Sequence, residues 1–207
     1  MSEAAGTAVV GLTGQSGAGK TTVCKVFDES GFAIINADKI SRMVMEKGTP
    51  CLAEVTECFG KDILREDGSL DRQKLADIVF GDDEKLRQLN AISHPYITSE
   101  ILNMINKYGG EGRRYVLLDA PTLFESRADD FCDLIISVTA PEKLRAERIA
   151  ARDGLTAEQI RERFSSQHTE EFFVNHSDFI IKNHGAVSEL IEKAREVAEK
   201  IKEYYNA

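Results

Sequence analysis

A glycine-rich segment near the start of the chain constrains the fold more than any other feature of the sequence. Residues 14–21 read GQSGAGKT and directly follow the apolar stretch AVVGLT. Glycine, lysine and hydroxyl residues are poor material for a hydrophobic core, whereas glycine allows backbone dihedrals that other residues avoid. Helix-forming residues follow over 20–30, and Gly31 is a typical helix stop. The order strand, glycine loop, helix predicts an α/β fold on a parallel sheet.

The glycine-rich segment also predicts a ligand. It matches the pattern G-x-x-x-x-G-K-[ST], with Gly14, Gly19, Lys20 and Thr21 at the defining positions. The backbone N–H groups of such a loop turn inward, and the next helix points its positive dipole end at the same place. Lys20, expected to face solvent, would reach the β- and γ-phosphates of a nucleotide, and the Thr21 hydroxyl would help coordinate Mg²⁺. We therefore expect ATP-type phosphate and Mg²⁺ here; a flexible turn is the alternative.

Apolar runs of strand length predict the rest of the sheet. Between and after them lie helical patterns, one opened by Pro141 at its first helical position and one over 186–205. The alternation of strands and helices predicts helices on both faces of the sheet. The five runs are 8–13 (AVVGLT), 32–37 (FAIINA), 115–120 (YVLLDA), 133–140 (DLIISVTA) and 179–183 (FIIKN).

A long interval between the second and third predicted strands has helix signals but no convincing strand. One helix is predicted to open at Pro50 and another directly after Asp71. A third helical run covers 83–108, where Pro95 predicts an interruption. A second, shorter insertion spans about 145–176 and has a capping-box pattern at the start of TAEQIRERFSSQ. Both stretches are predicted to be helical insertions in the α/β core.

Charge and cysteine content exclude several classes of partner. The formal net charge of −9 argues against a nucleic-acid or membrane surface, because those partners require a basic face. The four cysteines form no C-x-x-C pair, which is typical of reduced thiols in a cytosolic protein and argues against zinc. The N-terminal residues lack a basic n-region, and their apolar run is too short for a signal or a membrane span. We therefore expect a cytoplasmic protein without nucleic-acid or membrane partners.

Two aspartates follow predicted strands at the edge of the sheet where ligands bind. Asp38 ends the second strand in INADKISR, where its carboxylate could orient an attacking hydroxyl and take its proton. It could equally cap a helix that starts near Lys39, and the local residues do not decide between these roles. Asp119 follows the run YVLL and has the placement of a residue that supports Mg²⁺ directly or through water. A strand-end turn is its alternative role.

Three arginines and one histidine are further candidates for ligand contacts. Arg145, Arg148 and Arg152 are spaced so that their guanidinium groups share one helix face. Such a stripe could clamp phosphate oxygens, or it could be a solvated face neutralised by nearby acids. His94 precedes a proline at the predicted helix break, where a structural role is common and a ligand contact is the alternative.

These residues together resemble the dephospho-CoA kinase family over nearly the whole chain. The matching segments are GLTGQSGAGKTTV, INADKISR, LDRQKLADIVF, HPYI, LLDAPTLFE, RDGLTAEQIRERFSSQ and FIIKNHG. Such enzymes use ATP and Mg²⁺ to phosphorylate the ribose 3′-hydroxyl of dephospho-CoA, the last step of coenzyme A synthesis. The resemblance implies a P-loop NTPase-type core (1–38, 114–144 and 177–207), a helical acceptor domain (39–113) and a helical lid (145–176). We expect a monomer or small homo-oligomer, a choice that the sequence leaves open.

The resemblance assigns roles position by position. It makes Asp38 the general base, places Arg148 over the phosphates and puts Asn183 beside the adenine of ATP. The chain departs from the family at Asn36, where D-A-D is frequent, and at Lys182, where I-D-N is frequent. The assigned residues are Asp38, Lys20 and Arg148 for catalysis; Gly14, Gly17, Ala18, Gly19, Lys20, Thr21, Thr22, Arg148, Arg152 and Asn183 for ATP; and Asp38, His94, Pro121, Leu123 and Glu125 for the acceptor. Thr21 and Asp119 are the metal candidates on the residue-level argument.

Two other functions fit parts of the pattern. A P-loop nucleoside or nucleotide kinase would share the core and differ in the acceptor-side insertion. A GTP-binding regulatory switch would bind and slowly hydrolyse nucleotide, but such proteins usually carry N-K-x-D. Here Asn106 and Lys107 are followed by Tyr108 and Gly109, which argues against the switch.

Overall fold

The structure, a computed structural model, describes residues 6–206 and contains a five-stranded sheet. The strand order is β2-β3-β1-β4-β5, and the described pairings of β1 with β3 and β4, and of β4 with β5, are parallel. All five predicted strands and the α/β fold are confirmed. The strands are β1 (Ala8–Gly14), β2 (Ala33–Asn36), β3 (Tyr115–Asp119), β4 (Leu134–Thr139) and β5 (Phe179–Lys182).

Nine α-helices are described within residues 6–206, and two compact units divide the chain. The first unit includes the described residues up to Ile35 and from Ile105 onward, and the second is Asn36–Met104. The helices are α1 (Lys20–Glu29), α2 (Ala37–Met43), α3 (Pro50–Phe59), α4 (Arg72–Val79), α5 (Asp83–Gly110), α6 (Glu142–Asp153), α7 (Ala157–Ser165), α8 (Glu170–Asn175) and α9 (Val187–Asn206).

The core of the first unit lies between the sheet and the helices α1 and α9. Val10 and Leu12 of β1 are fully buried, as are Ala194 and Ala198 of α9. Because the two alanines are four residues apart, they lie on one face of α9. Small side chains on that face let α1 and α9 pack closely, which fixes the helix that follows the glycine loop.

The second unit has its own hydrophobic core, and its helix starts agree with the sequence. Thr49 caps α3 with Pro50 in the first turn, and Asp71 caps α4 by accepting from two backbone N–H groups. The predicted interruption at Pro95 is wrong, because α5 is one continuous helix of 28 residues that contains Pro95. Proline removes one backbone hydrogen bond; the other bonds of this long helix and the burial of Ile101 maintain it. The core residues are Met45, Cys51, Leu52, Val55, Ile63, Leu70, Leu75 and Val79.

Helices α6, α7 and α8 occupy the predicted second insertion and belong to the first unit. Pro141 is the N-cap residue of α6, one position before the helix rather than its first residue. The predicted insertion boundary at residue 145 falls inside α6. The capping box at Thr156 and Gln159 is confirmed, with hydrogen bonds in both directions. Within residues 6–206, no helix combines the length and apolarity that a membrane crossing requires.

Candidate active site

The three glycines of the loop between β1 and α1 are required by close approaches to neighbouring elements. Gly14, Gly17 and Gly19 have φ angles of 139°, 78° and 111°. A Cβ on Gly14 would lie 2.2 Å from the carbonyl oxygen of Val138, and one on Gly17 would lie 2.8 Å from that of Arg145. Backbone atoms cannot move away as a flexible side chain could, so residues with side chains are excluded. The loop is thereby held against β4 and α6.

Helix α1 begins without any side-chain cap. Gly19 is its N-cap residue in the left-handed conformation, and no acidic residue lies in the first turn. The N–H groups at a helix start lack partners within the helix, and the helix dipole makes that end positive. Thr21 is exposed and Thr22 is half-buried in this first turn. The geometry is that of an anion site of the kind the sequence predicts.

Lys20 and Asp119 form an ion pair behind the loop. Lys20 Nζ lies 3.2 Å from Asp119 Oδ1, and the two side chains are only 17% and 13% exposed. Asp119 is the last residue of β3 and stands opposite Leu12 of β1, which brings it under the loop. The expectation that Lys20 faces solvent is therefore wrong, because its ammonium turns inward to the carboxylate.

The residues near the loop fit a magnesium ion that is held mainly by phosphates. Among residues 6–206, no group of three or more His, Cys, Asp or Glu side chains could hold a metal by itself. Mg²⁺ usually takes one or two carboxylates, waters and substrate phosphates rather than a full protein cage. The exposed Thr21 hydroxyl and the Asp119 carboxylate supply the donor types that this arrangement needs.

Side chains from two other segments hold the backbone of the loop. Arg148 donates from Nη1 to the Gly17 carbonyl at 3.2 Å and from Nη2 to Asn183 Oδ1 at 3.3 Å. Asn183 donates from Nδ2 to the Ala18 carbonyl at 2.6 Å and accepts from the N–H of Gly185. Asn183 is 4% exposed, and the protein uses both ends of its amide. The side chain therefore braces the loop, and this geometry does not support its predicted contact with adenine.

Ser16 and Gln167 form a second brace that the sequence argument missed. Gln167 Oε1 accepts from the N–H of Ser16 at 3.2 Å, and Gln167 Nε2 donates to the Ser16 hydroxyl oxygen at 2.7 Å. The two residues are 151 positions apart. Because no local motif joins them, spacing along the sequence could not have revealed the pair.

The arginine stripe does not act as one clamp. Arg145 is 6% exposed, donates from Nε to the Ala140 carbonyl at 3.1 Å, and lies 4.1 Å from the centre of the Phe164 ring. Burial lowers its pKa. Arg152 forms two hydrogen bonds with Asp153, at 2.7 and 2.9 Å, and these bonds, with a third from Arg163, hold the pKa of Asp153 well below its usual range. Arg145 approaches the glycine loop through its backbone, but of the three arginines Arg148 is the one whose guanidinium hydrogen-bonds to the loop. Equal spacing on a helix does not give equal surroundings.

The predicted acceptor segment after β3 is partly core. Leu123 is fully buried, and its Cδ2 lies 2.9 Å from the position of a Cβ built on Gly11. This burial does not support its predicted contact with the acceptor, which stays a prediction. Pro121 uses its carbonyl to accept from the Thr13 hydroxyl. Glu125 is half-exposed, and its Oε1 lies 3.6 Å from His168 Nε2. It is the one charged side chain among the three predicted residues.

Asp38 lies in the first turn of α2 and is not a helix cap. β2 ends at Asn36, α2 begins at Ala37, and Asn36 Oδ1 accepts from the N–H of Lys39 at 2.8 Å. The predicted strand end at residue 37 and the alternative role of Asp38 as a cap are both wrong. Asn36 is the cap residue instead, and asparagine caps a helix as well as aspartate does. The Asp38 side chain is exposed.

The second unit contains a cavity of about 360 Å³. His94, half-buried on α5, is not among the residues that line it. The Tyr96 hydroxyl at its wall donates to Glu54 at 2.5 Å, and burial raises the pKa of the Cys51 thiol. The lining residues are Met43, Val44, Thr49, Pro50, Cys51, Tyr96, Ser99 and Glu100.

Comparisons with known proteins show which family the chain is similar to. The sequence model of the family described as CoaE: Dephospho-CoA kinase matches residues 8–189. A curated relative from Carboxydothermus hydrogenoformans, named dephospho-CoA kinase, is 39% identical over 94% of each chain. One of the same name from Oryza sativa subsp. japonica is 37% identical over 94% of this chain and 85% of the relative. The solved dephospho-CoA kinase from Campylobacter jejuni has 27% identity and a TM-score of 0.72, and the match covers 94% of this chain and 97% of that one.

Proposed function

The chain belongs to the dephospho-CoA kinase family, and on that premise we propose that it transfers the γ-phosphate of ATP to the ribose 3′-hydroxyl of dephospho-CoA. The products are coenzyme A and ADP. The observation that carries the proposal is the uncapped start of α1 behind a glycine loop that three other side chains brace. Phosphoryl transfer depends mainly on positioning and on stabilising negative charge, and a rigid, positive loop supplies both.

On the donor side, the loop and α1 hold the phosphates. The N–H groups of the loop and of the first turn of α1 donate to phosphate oxygens, and Lys20 moves its ammonium toward the charge that develops on the transferred group. Arg148, already at the Gly17 carbonyl, adds a second cation beside the loop. Thr21 and Asp119 would hold Mg²⁺, which would supply positive charge to offset the charge of the phosphates.

On the acceptor side, Asp38 acts as the general base. The support is that its carboxylate is exposed and that the helix-capping role belongs to Asn36. As the 3′-oxygen bonds to the γ-phosphorus and the bond to the ADP oxygen breaks, the hydroxyl proton passes to the Asp38 carboxylate. Because such transition states are loose, this proton transfer occurs late, and orientation of the hydroxyl accounts for part of the role.

The domain roles follow from the same premise. The helical stretch 39–113 binds the acceptor, with His94 and the cavity beside Tyr96 as contact candidates. Glu125, whose side chain is 45% exposed, is a further candidate. The stretch 145–176 forms the lid, in which Arg152 would leave Asp153 to reach nucleotide. We also propose a cytoplasmic protein that acts as a monomer or small homo-oligomer.

The test is product analysis with defined acceptors. The protein is mixed with ATP, Mg²⁺ and dephospho-CoA, and mass spectrometry should detect an acceptor heavier by one phosphoryl group, with matching ADP. Dephospho-CoA that lacks the 3′-hydroxyl is the matched control and should stay unmodified. Faster phosphorylation of AMP or of a free nucleoside would favour the nucleotide kinase alternative. ATP hydrolysis at a rate that no acceptor changes, with no phosphorylated acceptor formed, would contradict the proposal.

A further inference from the structure

We propose that Gln167 is a positioning residue that fixes Ser16, and through it the phosphate loop, during phosphoryl transfer; the inference rests on the proposed function. The two residues share two hydrogen bonds, one to the Ser16 backbone and one to its hydroxyl. A two-point contact fixes orientation as well as distance. Because the backbone bond holds the peptide plane between Gln15 and Ser16, it sets the direction in which the following loop N–H groups point.

Gln167 itself sits on a rigid support between α7 and α8. Its N–H donates to the Phe164 carbonyl at 3.2 Å, which continues the last turn of α7. Two residues later Thr169 caps α8 by accepting from the N–H of Phe172. The guanidinium carbon of the buried Arg145 lies 4.1 Å from the centre of the Phe164 ring. The glutamine amide is therefore presented by packed helix ends, as a positioning group requires.

The brace completes a set of contacts along successive loop residues. Gln167 holds Ser16, Arg148 holds the Gly17 carbonyl, and Asn183 holds the Ala18 carbonyl. Of these three, Gln167 is the one that bonds to a loop N–H group. A loop fixed in this way needs no reorganisation at the moment of transfer, and misplacement of reacting atoms by about 1 Å can lower the rate about 10²-fold. Gln167 should therefore affect kcat more than ATP binding.

The decisive variant is Gln167→Met, which keeps side-chain length but removes both hydrogen bonds. We expect kcat to fall about tenfold, with the KM for ATP within about twofold of wild type. Ser16→Ala removes the hydroxyl bond alone and should lower kcat less. Because both changes act on one contact, the double variant should lose clearly less than the product of the two single losses. The proposal would be overturned if the loss in kcat of the double variant equalled the product of the two single losses. A wild-type kcat in folded Gln167→Met would also overturn it.

Gln159→Met is the matched control. Gln159 is a glutamine of the same segment whose amide serves the α7 capping box, so its loss should lower Tm without changing kcat or the KM for ATP. If Gln159→Met lowers kcat as much as Gln167→Met, the effect is general loosening of the helices and the positioning role is wrong.

Amide hydrogen exchange separates this proposal from the proposed function. In Gln167→Met, peptides that cover Ser16 should exchange faster than in wild type and in Gln159→Met, with no acceptor present. Unchanged exchange would overturn the positioning role whatever the enzyme phosphorylates. Failure of the wild-type protein to phosphorylate dephospho-CoA would instead count against the proposed function and leave the exchange result to decide the role of Gln167.

Discussion

Helices α1 and α2 each follow a strand of the sheet, yet they begin in opposite ways. α1 starts behind Gly19 with no capping side chain and no acid in its first turn. α2 is capped by Asn36 and carries Asp38 in its first turn. At the start of α2, side chains of the chain itself accept from the free backbone N–H groups and balance the helix dipole. At the start of α1 no side chain does so, and a phosphate ligand can take that place.

The start of α1 also departs from the usual helix start in this chain. Helices α3, α4, α7 and α8 are capped by the side chains of Thr49, Asp71, Thr156 and Thr169. α6 lacks such a cap but has an acidic residue in its first turn. Sequences that otherwise obey local rules tend to break them at functional sites. The missing cap is therefore as informative as the glycine motif, and substitutions at α1 and α2 should have opposite consequences.

The largest expected effect comes from Lys20→Ala. Removing the cation that acts on the transferred phosphate should lower kcat/KM about 10³-fold. Tm should also fall by a few degrees, because Asp119, only 13% exposed, loses its ammonium partner. Steady-state kinetics and thermal melting measure both. Lys25→Ala, at an exposed position of α1, is the control and should behave like wild type. Normal turnover by folded Lys20→Ala would remove the loop from the mechanism.

Asp38→Asn should have the next largest effect. The change keeps size and removes basicity, so kcat should fall about 10²- to 10³-fold while ATP binding and Tm stay near wild type. ATP affinity is measured by equilibrium titration and kcat with saturating acceptor. The control is Asp83→Asn, since Asp83 is an exposed acid in the first turn of α5. A wild-type kcat for Asp38→Asn would mean that the acid at the start of α2 serves only the helix.

Thr22→Asp places at the start of α1 the kind of charge that α2 carries naturally. In an ordinary helix this acid would stabilise the first turn by about 0.3–1 kcal/mol. In α1 it should raise the KM for ATP at least about tenfold, because two negative charges meet at short range, while Tm does not fall. Thr22→Asn is the uncharged control. Equal KM values for the two variants would show that phosphate does not approach the start of α1.

The strands and most helix starts could be predicted because their signals are local. Buried parallel strands appear as continuous apolar runs, and a capping residue lies within three positions of the N–H that it accepts from. Two predictions failed for separate reasons. Pro95 lies inside a continuous helix because the surrounding structure overrides a local preference. Asn36, two positions before Asp38, is the cap residue, and two capping residues of similar preference so close together cannot be ranked from the sequence.

The loop itself could be predicted, but its braces could not. The motif lists the glycines and Lys20 because they serve one short turn. Asn183 and Gln167 reach that turn from 165 and 151 positions away along the chain, where no spacing rule applies. The buried state of Arg145 depends likewise on Phe164, which comes from the next helix. Residues that hold the site, rather than form it, require the fold to be known.

The smallest expected effect, Asn36→Ala, tests the other half of the comparison. Loss of the Asn36 cap should cost about 1 kcal/mol of the free energy of unfolding, which corresponds to a fall in Tm of about 2–4 °C for a chain of this size. If the start of α2 serves the helix through Asn36 and the reaction through Asp38, kcat should stay within about twofold of wild type. Asn36→Asp keeps a capping oxygen and should restore Tm. A large fall in kcat with unchanged Tm would instead place Asn36 in the reaction. Both helix starts would then bind ligands, and they would differ only in which ligand each one binds.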